Sequence, residues 1–180
     1  SEREAIRVRD FFSATDRDFG RTAADIDQTE ASLRRFFVPQ NSERDQLRFF
    51  RNDGNGRFVE RTREAGLLGQ FGGINLNHAD YNNDGYADVF VIRGGWLREA
   101  GLHPDSLLRN NGDGTFDDVT EEAGLLSFQA THTAAWGDFN NDGFLDLFAG
   151  HEDWGLGTHP VQLFQNNGNG TFTDRAAELG

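Results

Sequence analysis

The stretch Asp80-Tyr-Asn-Asn-Asp-Gly-Tyr-Ala-Asp88 recurs 58 residues later as Asp138-Phe-Asn-Asn-Asp-Gly-Phe-Leu-Asp146. In both copies an oxygen-bearing side chain stands at positions 1, 3, 5 and 9, and a glycine stands at position 6. Calcium takes about six to eight oxygen ligands, and alternate residues of a tight loop can all point inward where a glycine permits the bend. The pattern therefore predicts a calcium-binding loop in each copy.

The predicted ligands follow from these positions. Side-chain oxygens at positions 1, 3, 5 and 9 and the main-chain carbonyl oxygen at position 7 would surround the ion. The residues are Asp80, Asn82, Asp84, Tyr86 and Asp88 in the first loop and Asp138, Asn140, Asp142, Phe144 and Asp146 in the second loop. We expect two Ca²⁺ sites, one in each loop.

An EF-hand loop opens with the same pattern but requires a bidentate glutamate at position 12. Position 12 is Val91 in one copy and Ala149 in the other. The runs that follow, 88–92 and 146–149, are short and apolar as in strands, whereas an EF-hand loop leads into a helix. The sequence therefore predicts a loop between two strands. A plain Asn-Asp-Gly hairpin turn is the alternative for a single copy, and the repetition favours metal binding.

Both loops belong to a longer repeat. Asn- and Gly-rich turns recur at spacings of 58 and 56 residues, at 52–58, 110–116 and 166–172. Each complete unit contains four short predicted strands, which in the first unit lie near 74–79, 88–92, 106–109 and 115–120. Four short strands at this period are typical of a β-propeller blade. We expect an all-β fold of four-stranded antiparallel propeller-type blades in tandem, a partial β-propeller with a small N-terminal helix-containing segment.

Two segments carry a family resemblance: Leu107-Leu-Arg-Asn-Asn-Gly-Asp-Gly-Thr-Phe-Asp-Asp-Val-Thr-Glu-Glu-Ala-Gly-Leu125 and Ala135-Trp-Gly-Asp-Phe-Asn-Asn-Asp-Gly-Phe-Leu-Asp-Leu-Phe148. They resemble the FG-GAP/VCBS repeat class, the calcium-loop blades of integrin-type propellers. Within that class they are most similar to the cartilage-acidic-protein-like (ASPIC-type) secreted proteins. The resemblance covers about residues 46–180. It implies a multi-bladed propeller, calcium in the blade loops, an extracellular location and a role in adhesion or matrix recognition, without catalysis.

The repeat predicts four parts of the chain. We expect residues 46–73 to be the second half of a blade, and 74–130 and 131–180 each to be a complete blade with a calcium loop. Residues 1–45 contain strand-like and helix-like patterns, which fit either a long insertion in a leading blade or a separate small cap. Two complete units are too few to close a ring. We therefore expect a piece of a longer protein, or a chain that completes its sheets with a neighbouring copy.

The composition of the chain limits the partners and the cellular locations that we expect. The net charge of −13 argues against a nucleic-acid partner, because the phosphates would be repelled. No long apolar stretch occurs, so we expect no membrane span. Cysteine is absent and sets no redox compartment. Extracellular modules bind calcium at about 10⁻⁴–10⁻³ M, so the loops favour a secreted or cell-surface location.

No catalytic motif stands out in the sequence. The five histidines do not form an HExxH pattern, and we find no serine-nucleophile elbow, catalytic cysteine or Gly-rich phosphate loop. We therefore predict a non-enzymatic scaffold for adhesion, protein interaction or assembly. In the alternative hypothesis, the variable loops at 93–105 and 150–160 bind carbohydrate. Trp96 and Trp154 occupy corresponding positions in these loops and either stack on sugar rings or cap the blade edge. The expected partner is an extracellular protein or a glycan, with self-association through open blade edges as a further option.

Overall fold

Ten short strands in three antiparallel sheets form the described part of the computed structural model, residues 46–95, 103–152 and 161–179. The smallest sheet pairs β1 (Phe50–Asn52) with β2 (Phe58–Glu60) around the first Asn- and Gly-rich turn. The predicted insertion or cap at residues 1–45 lies outside the described residues. Strands dominate the rest, which confirms the predicted all-β class.

The next four strands form one sheet in chain order, here called the first sheet. They are β3 (Asn75–Ala79), β4 (Asp88–Ile92), β5 (Ser106–Asn110) and β6 (Phe116–Asp118). The first loop joins β3 to β4, with Ala79 opposite Asp88. β6 ends earlier than the predicted 115–120, because the Asp118 carboxylate accepts hydrogen bonds from the amide and the hydroxyl of Thr120 and turns the chain.

The last four strands form the second sheet, again in chain order with each strand antiparallel to the next. They are β7 (Thr131–Gly137), β8 (Asp146–His151), β9 (Gln162–Asn166) and β10 (Phe172–Asp174), followed by the short helix α1 (Ala176–Leu179). The second loop joins β7 to β8. Two successive four-stranded antiparallel meanders confirm the expectation of propeller-type blades.

The first sheet is packed on both faces. On one face Phe90, Ile92 and Leu107 pack with residues of the second sheet, among them Leu147, Phe164 and Phe172. On the other face, Val91 and Leu108 pack against Ala65 and Leu67 of the segment that follows β2. This alternation along β4 and β5 is the reason for their nearly continuous apolar sequence. Burial of these side chains holds the two sheets face to face.

The first strands of the two sheets lie side by side. The amide nitrogen Nδ2 of Asn77 on β3 donates to the carbonyl oxygen of Ala134 on β7, at 2.7 Å. Both strands lead directly into a candidate metal loop. This contact therefore helps to bring the two loops next to each other at one end of the sheets.

Within the described residues, no helix combines the length and the apolar character needed to cross a membrane.

Candidate metal centre

The backbone of each loop turns at positions 4 and 6. Asn83 and Asn141 at position 4 have φ of 58°, and Gly85 and Gly143 at position 6 have φ of 88° and 89°. Asparagine tolerates this left-handed region better than most residues, and glycine enters it without steric cost. The sequence pattern predicted the bend at the glycine but not the one at position 4. The repeated asparagine at that position was the signal that could have revealed it.

Side-chain oxygens at positions 1, 3 and 5 turn back into the first loop. The two carboxylate oxygens of Asp80 accept the amides of Asp84 and Gly85 at 3.0 and 2.9 Å. The Oδ1 atom of Asn82 accepts the same Asp84 amide at 3.2 Å. The Oδ1 atom of Asp84 accepts the Tyr86 amide at 2.8 Å. These bonds fix the loop and bring oxygens from three alternate residues together.

The second loop repeats this geometry. Asp138 accepts the amides of Asp142 and Gly143 at 3.1 and 2.9 Å. Asn140 accepts the Asp142 amide at 3.1 Å, and Asp142 accepts the Phe144 amide at 2.9 Å. The two sequence copies therefore form the same local structure, as expected when position-specific turn chemistry decides the backbone.

Whether a cation fits in the loop depends on the contact between the side chains at positions 3 and 5. In the first loop Nδ2 of Asn82 donates to Oδ2 of Asp84 at 2.7 Å, and the second loop has the same contact at 2.8 Å. A half-turn of the asparagine amide exchanges its nitrogen and oxygen. Its oxygen would then stand beside a carboxylate oxygen, an arrangement that a hard cation stabilises, and the bond that Oδ1 now accepts from the aspartate amide would be lost. The loops therefore present carboxylate and amide oxygens, the ligand type that calcium prefers.

The aspartates at position 9 are buried beneath their loops. In the first loop the two carboxylate oxygens of Asp88 accept the amides of Tyr81 and Asn110, at 3.3 and 2.8 Å. Burial raises the pKa of Asp88 to about 6, against the opposing effect of these two amides. The contacts tie the loop to the end of β5. Position 9 therefore closes the loop structurally, and its remaining lone pairs are the ones available to an ion.

Position 9 of the second loop has the same partners. Asp146 accepts the amides of Phe139 and Asn166, at 3.0 and 2.7 Å. Throughout the described ranges, no group of three His, Cys, Asp or Glu side chains is arranged to hold a metal. An ion in either loop would therefore also depend on the asparagine amide and on the carbonyl at position 7.

The aromatic side chains at position 7 pack on the neighbouring Asn- and Gly-rich turns. A Cβ atom at Gly112 would lie 2.4 Å from ring atoms of Tyr86, and one at Gly168 would lie 2.9 Å from the Phe144 ring. The sequence pattern predicted a role for the carbonyls of Tyr86 and Phe144 but not for their rings. The predicted sugar-stacking residues, Trp96 and Trp154, lie outside the described residues.

Comparison with known proteins gives two findings. The FG-GAP-like repeat model matches residues 36–91 and 80–149, and its two matches overlap on the first loop. Cartilage acidic protein 1 from Xenopus tropicalis is 33% identical to this chain over 117 residues. The match covers 64% of this chain but 16% of the relative, so the chain spans a small part of that protein's length.

Proposed function

Because this chain belongs to the FG-GAP-like repeat family, as the sequence resemblance predicted, we propose that it is a non-catalytic calcium-binding repeat module. It serves as a rigid extracellular scaffold for adhesion, protein interaction or assembly. The strongest support is the identical hydrogen-bond geometry of the two loops, in which side-chain oxygens of alternate residues turn back into the loop and accept its amides. The neighbouring blades then act as one stiff unit that presents surface loops to a partner.

The residues of each loop have two proposed roles, binding the ion and anchoring the loop. Asp80, Asn82, Asp84 and the Tyr86 carbonyl, with their equivalents in the second loop, would hold the ion. Asp88 and Asp146 would contribute their remaining lone pairs and also anchor the loop to the following turn. Bound calcium supplies positive charge that offsets the three aspartates of each loop. Because those aspartates repel one another without it, we infer that calcium stiffens the strand-to-strand connection. The affinity expected of such modules, about 10⁻⁴–10⁻³ M, suits the calcium level outside cells.

Calorimetric titration and thermal unfolding test this proposal directly. The full chain is stripped with a chelator and titrated with calcium chloride, and we expect two ions per chain. At a calcium concentration about 100 times the Kd, each site adds about 2.7 kcal/mol to the free energy of unfolding, so the melting temperature rises. The double variant Asp84→Ala, Asp142→Ala should lose both responses, and magnesium chloride serves as the selectivity control. Melting that is indifferent to chelator, without binding heat, would reject the proposal.

A further inference from the structure

The two candidate metal loops are hydrogen-bonded to each other, and we propose that they bind calcium as a coupled pair. An ion in the second loop raises the calcium affinity of the first loop, and by reciprocity the first raises that of the second. This inference rests on the proposed function and adds a property of the same two sites. Two asparagines, Asn83 and Asn166, carry the connection.

The first link runs from position 4 of one loop to position 6 of the other. Nδ2 of Asn83 donates to the carbonyl oxygen of Gly143 at 3.0 Å. The adjoining amide of Phe144 donates to the Asp142 carboxylate, so the peptide group between Gly143 and Phe144 is bonded on both sides. The equivalent asparagine in the second loop, Asn141, has the same φ but makes no such bond within the described residues. The link is therefore specific to Asn83.

The second link passes through Asn166, whose side chain is only 1% exposed. Its Nδ2 atom donates to the carbonyl oxygen of Tyr81 in the first loop at 2.8 Å and to that of Leu145 in the second loop at 3.0 Å. Its backbone amide donates to Asp146 at 2.7 Å. Because the Tyr81 amide in turn donates to Asp88, one chain of hydrogen bonds connects the two position-9 aspartates.

The equivalent residue in the first sheet shows what is special about Asn166. Asn110 also donates its backbone amide to a position-9 aspartate and its Nδ2 to a carbonyl oxygen of the loop, here that of Ala87. Its described bonds all stay within the first sheet and its own turn. Asn166 keeps these local bonds and adds the one to Tyr81 across the two sheets. The additional bond is the physical basis of the second link.

The coupling is expected to be positive. An ion bound through Asp142 and the Phe144 carbonyl would immobilise the peptide group that Asn83 contacts, so the first loop starts from a more ordered state. Ordering shared by two sites makes the second binding event less costly. Charge acts in the opposite direction, because a dication in one loop offsets negative charge that attracts an ion to the other, so the positive sign rests on the shared ordering.

Nuclear magnetic resonance titration can follow each loop separately through the amides of Gly85 and Gly143. The full chain, stripped of metal, is titrated with calcium chloride at about 0.15 M salt, which weakens the charge effects between the sites. The variant Asp142→Ala disables the second loop. We expect this variant to lower the calcium affinity of the first loop about fivefold, the low end of measured couplings. An unchanged first loop would overturn the coupling and leave the proposed function standing.

Two glycine substitutions isolate the link through Asn83. Asn83→Gly removes its side chain but tolerates the left-handed backbone, and Asn141→Gly is the matched control. In the Asn83→Gly background, Asp142→Ala should weaken the first loop less than twofold, whereas in the Asn141→Gly background the fivefold loss should persist. Equal losses in both backgrounds would contradict the role of Asn83.

A second matched pair keeps the test decisive if Asn83→Gly does not fold, which the dispersion of its spectrum would reveal. Asn166→Ala should reduce the coupling, and Asn110→Ala should preserve it. Full coupling in Asn166→Ala would overturn the inference. If neither loop of the intact, folded chain binds calcium, the proposed function itself fails and the coupling fails with it.

Discussion

The two four-stranded sheets have nearly the same sequence pattern but different surroundings. Phe90 on β4 is 2% exposed, whereas its equivalent on β8, Phe148, is 36% exposed. Tyr81 in the first loop is buried, and Phe139 at the same position of the second loop is exposed. The second sheet covers this face of the first, but no described residue covers the same face of the second. In a repeat fold, sequence decides the sheet and the neighbouring repeat decides how much it is stabilised.

The largest predicted effect compares the two phenylalanines. Phe90→Ala should lower the free energy of unfolding by about 3–5 kcal/mol, because it opens a cavity against Trp136 and the rest of the cluster between the sheets. Phe148→Ala, at an exposed site, should cost about 1 kcal/mol or less. Denaturant unfolding of the two full-length variants measures both values.

An equal loss in the two variants would break this comparison. It would mean that the free face of the second sheet is covered in solution, and sedimentation at several protein concentrations would then show whether a second copy covers it. A small loss for Phe148→Ala together with a monomeric chain would support the difference seen between the two sheets.

A second difference lies at the other end of the sheets. Asp105 is buried in the first sheet, where it accepts the amide of Arg93 at 2.7 Å and the hydroxyl of Thr131 at 2.6 Å. The Thr131 hydroxyl also lies 3.1 Å from Nδ1 of His151, the equivalent of Arg93. At the corresponding position of the second sheet stands Val161, which is exposed. The first sheet therefore contains a buried titratable group that the second sheet lacks there.

This difference predicts a dependence of stability on pH. Burial raises the pKa of Asp105 to about 6, against the opposing hydrogen bonds from Thr131 and Arg93. Because the folded protein holds this proton more tightly than the unfolded chain, the free energy of unfolding should fall as the pH rises from about 4 to about 6. The loss is at most about 3 kcal/mol.

The variant Asp105→Asn isolates this contribution. Its side chain can still accept the Arg93 amide and can donate to Thr131, but it does not ionise. Unfolding of both proteins in chelator, between pH 4 and 7, should show a shallower decline for the variant. Parallel curves would contradict the assignment of this proton to Asp105.

The sequence predicted the sheets better than the contacts between them. β4 matches its predicted range because the first loop fixes where the strand starts and an apolar run continues it. The Asn- and Gly-rich turns likewise fixed the hairpins of β5 with β6 and of β9 with β10. The links through Asn83 and Asn166 could not be predicted in this way. They join residues that are 60 and 85 positions apart, and only the packing of one sheet on another brings them together.

The smallest predicted effect concerns the turn glycines beside the loops. Gly112 and Gly114 both have positive φ, so alanine at either position costs about 1–2 kcal/mol. A Cβ atom at Gly112 would also collide with the Tyr86 ring, whereas no described atom lies within 4 Å of one at Gly114. We expect Gly112→Ala to be the less stable variant by about 1 kcal/mol, the low end of overpacking effects.

The two sheets should differ in this respect as well. The Phe144 ring lies at 2.9 Å from a Cβ atom at Gly168, compared with 2.4 Å for Tyr86 and Gly112, so Gly168→Ala requires the smaller displacement. Because each ring belongs to the residue whose carbonyl is a proposed ligand, moving it should also weaken calcium binding in the same loop. Gly114→Ala should leave calcium binding at the Gly85 amide unchanged. If Gly114→Ala weakens calcium binding in the first loop as much as Gly112→Ala does, the backbone conformation of the turn, and not the packing of the ring, determines the position of the carbonyl.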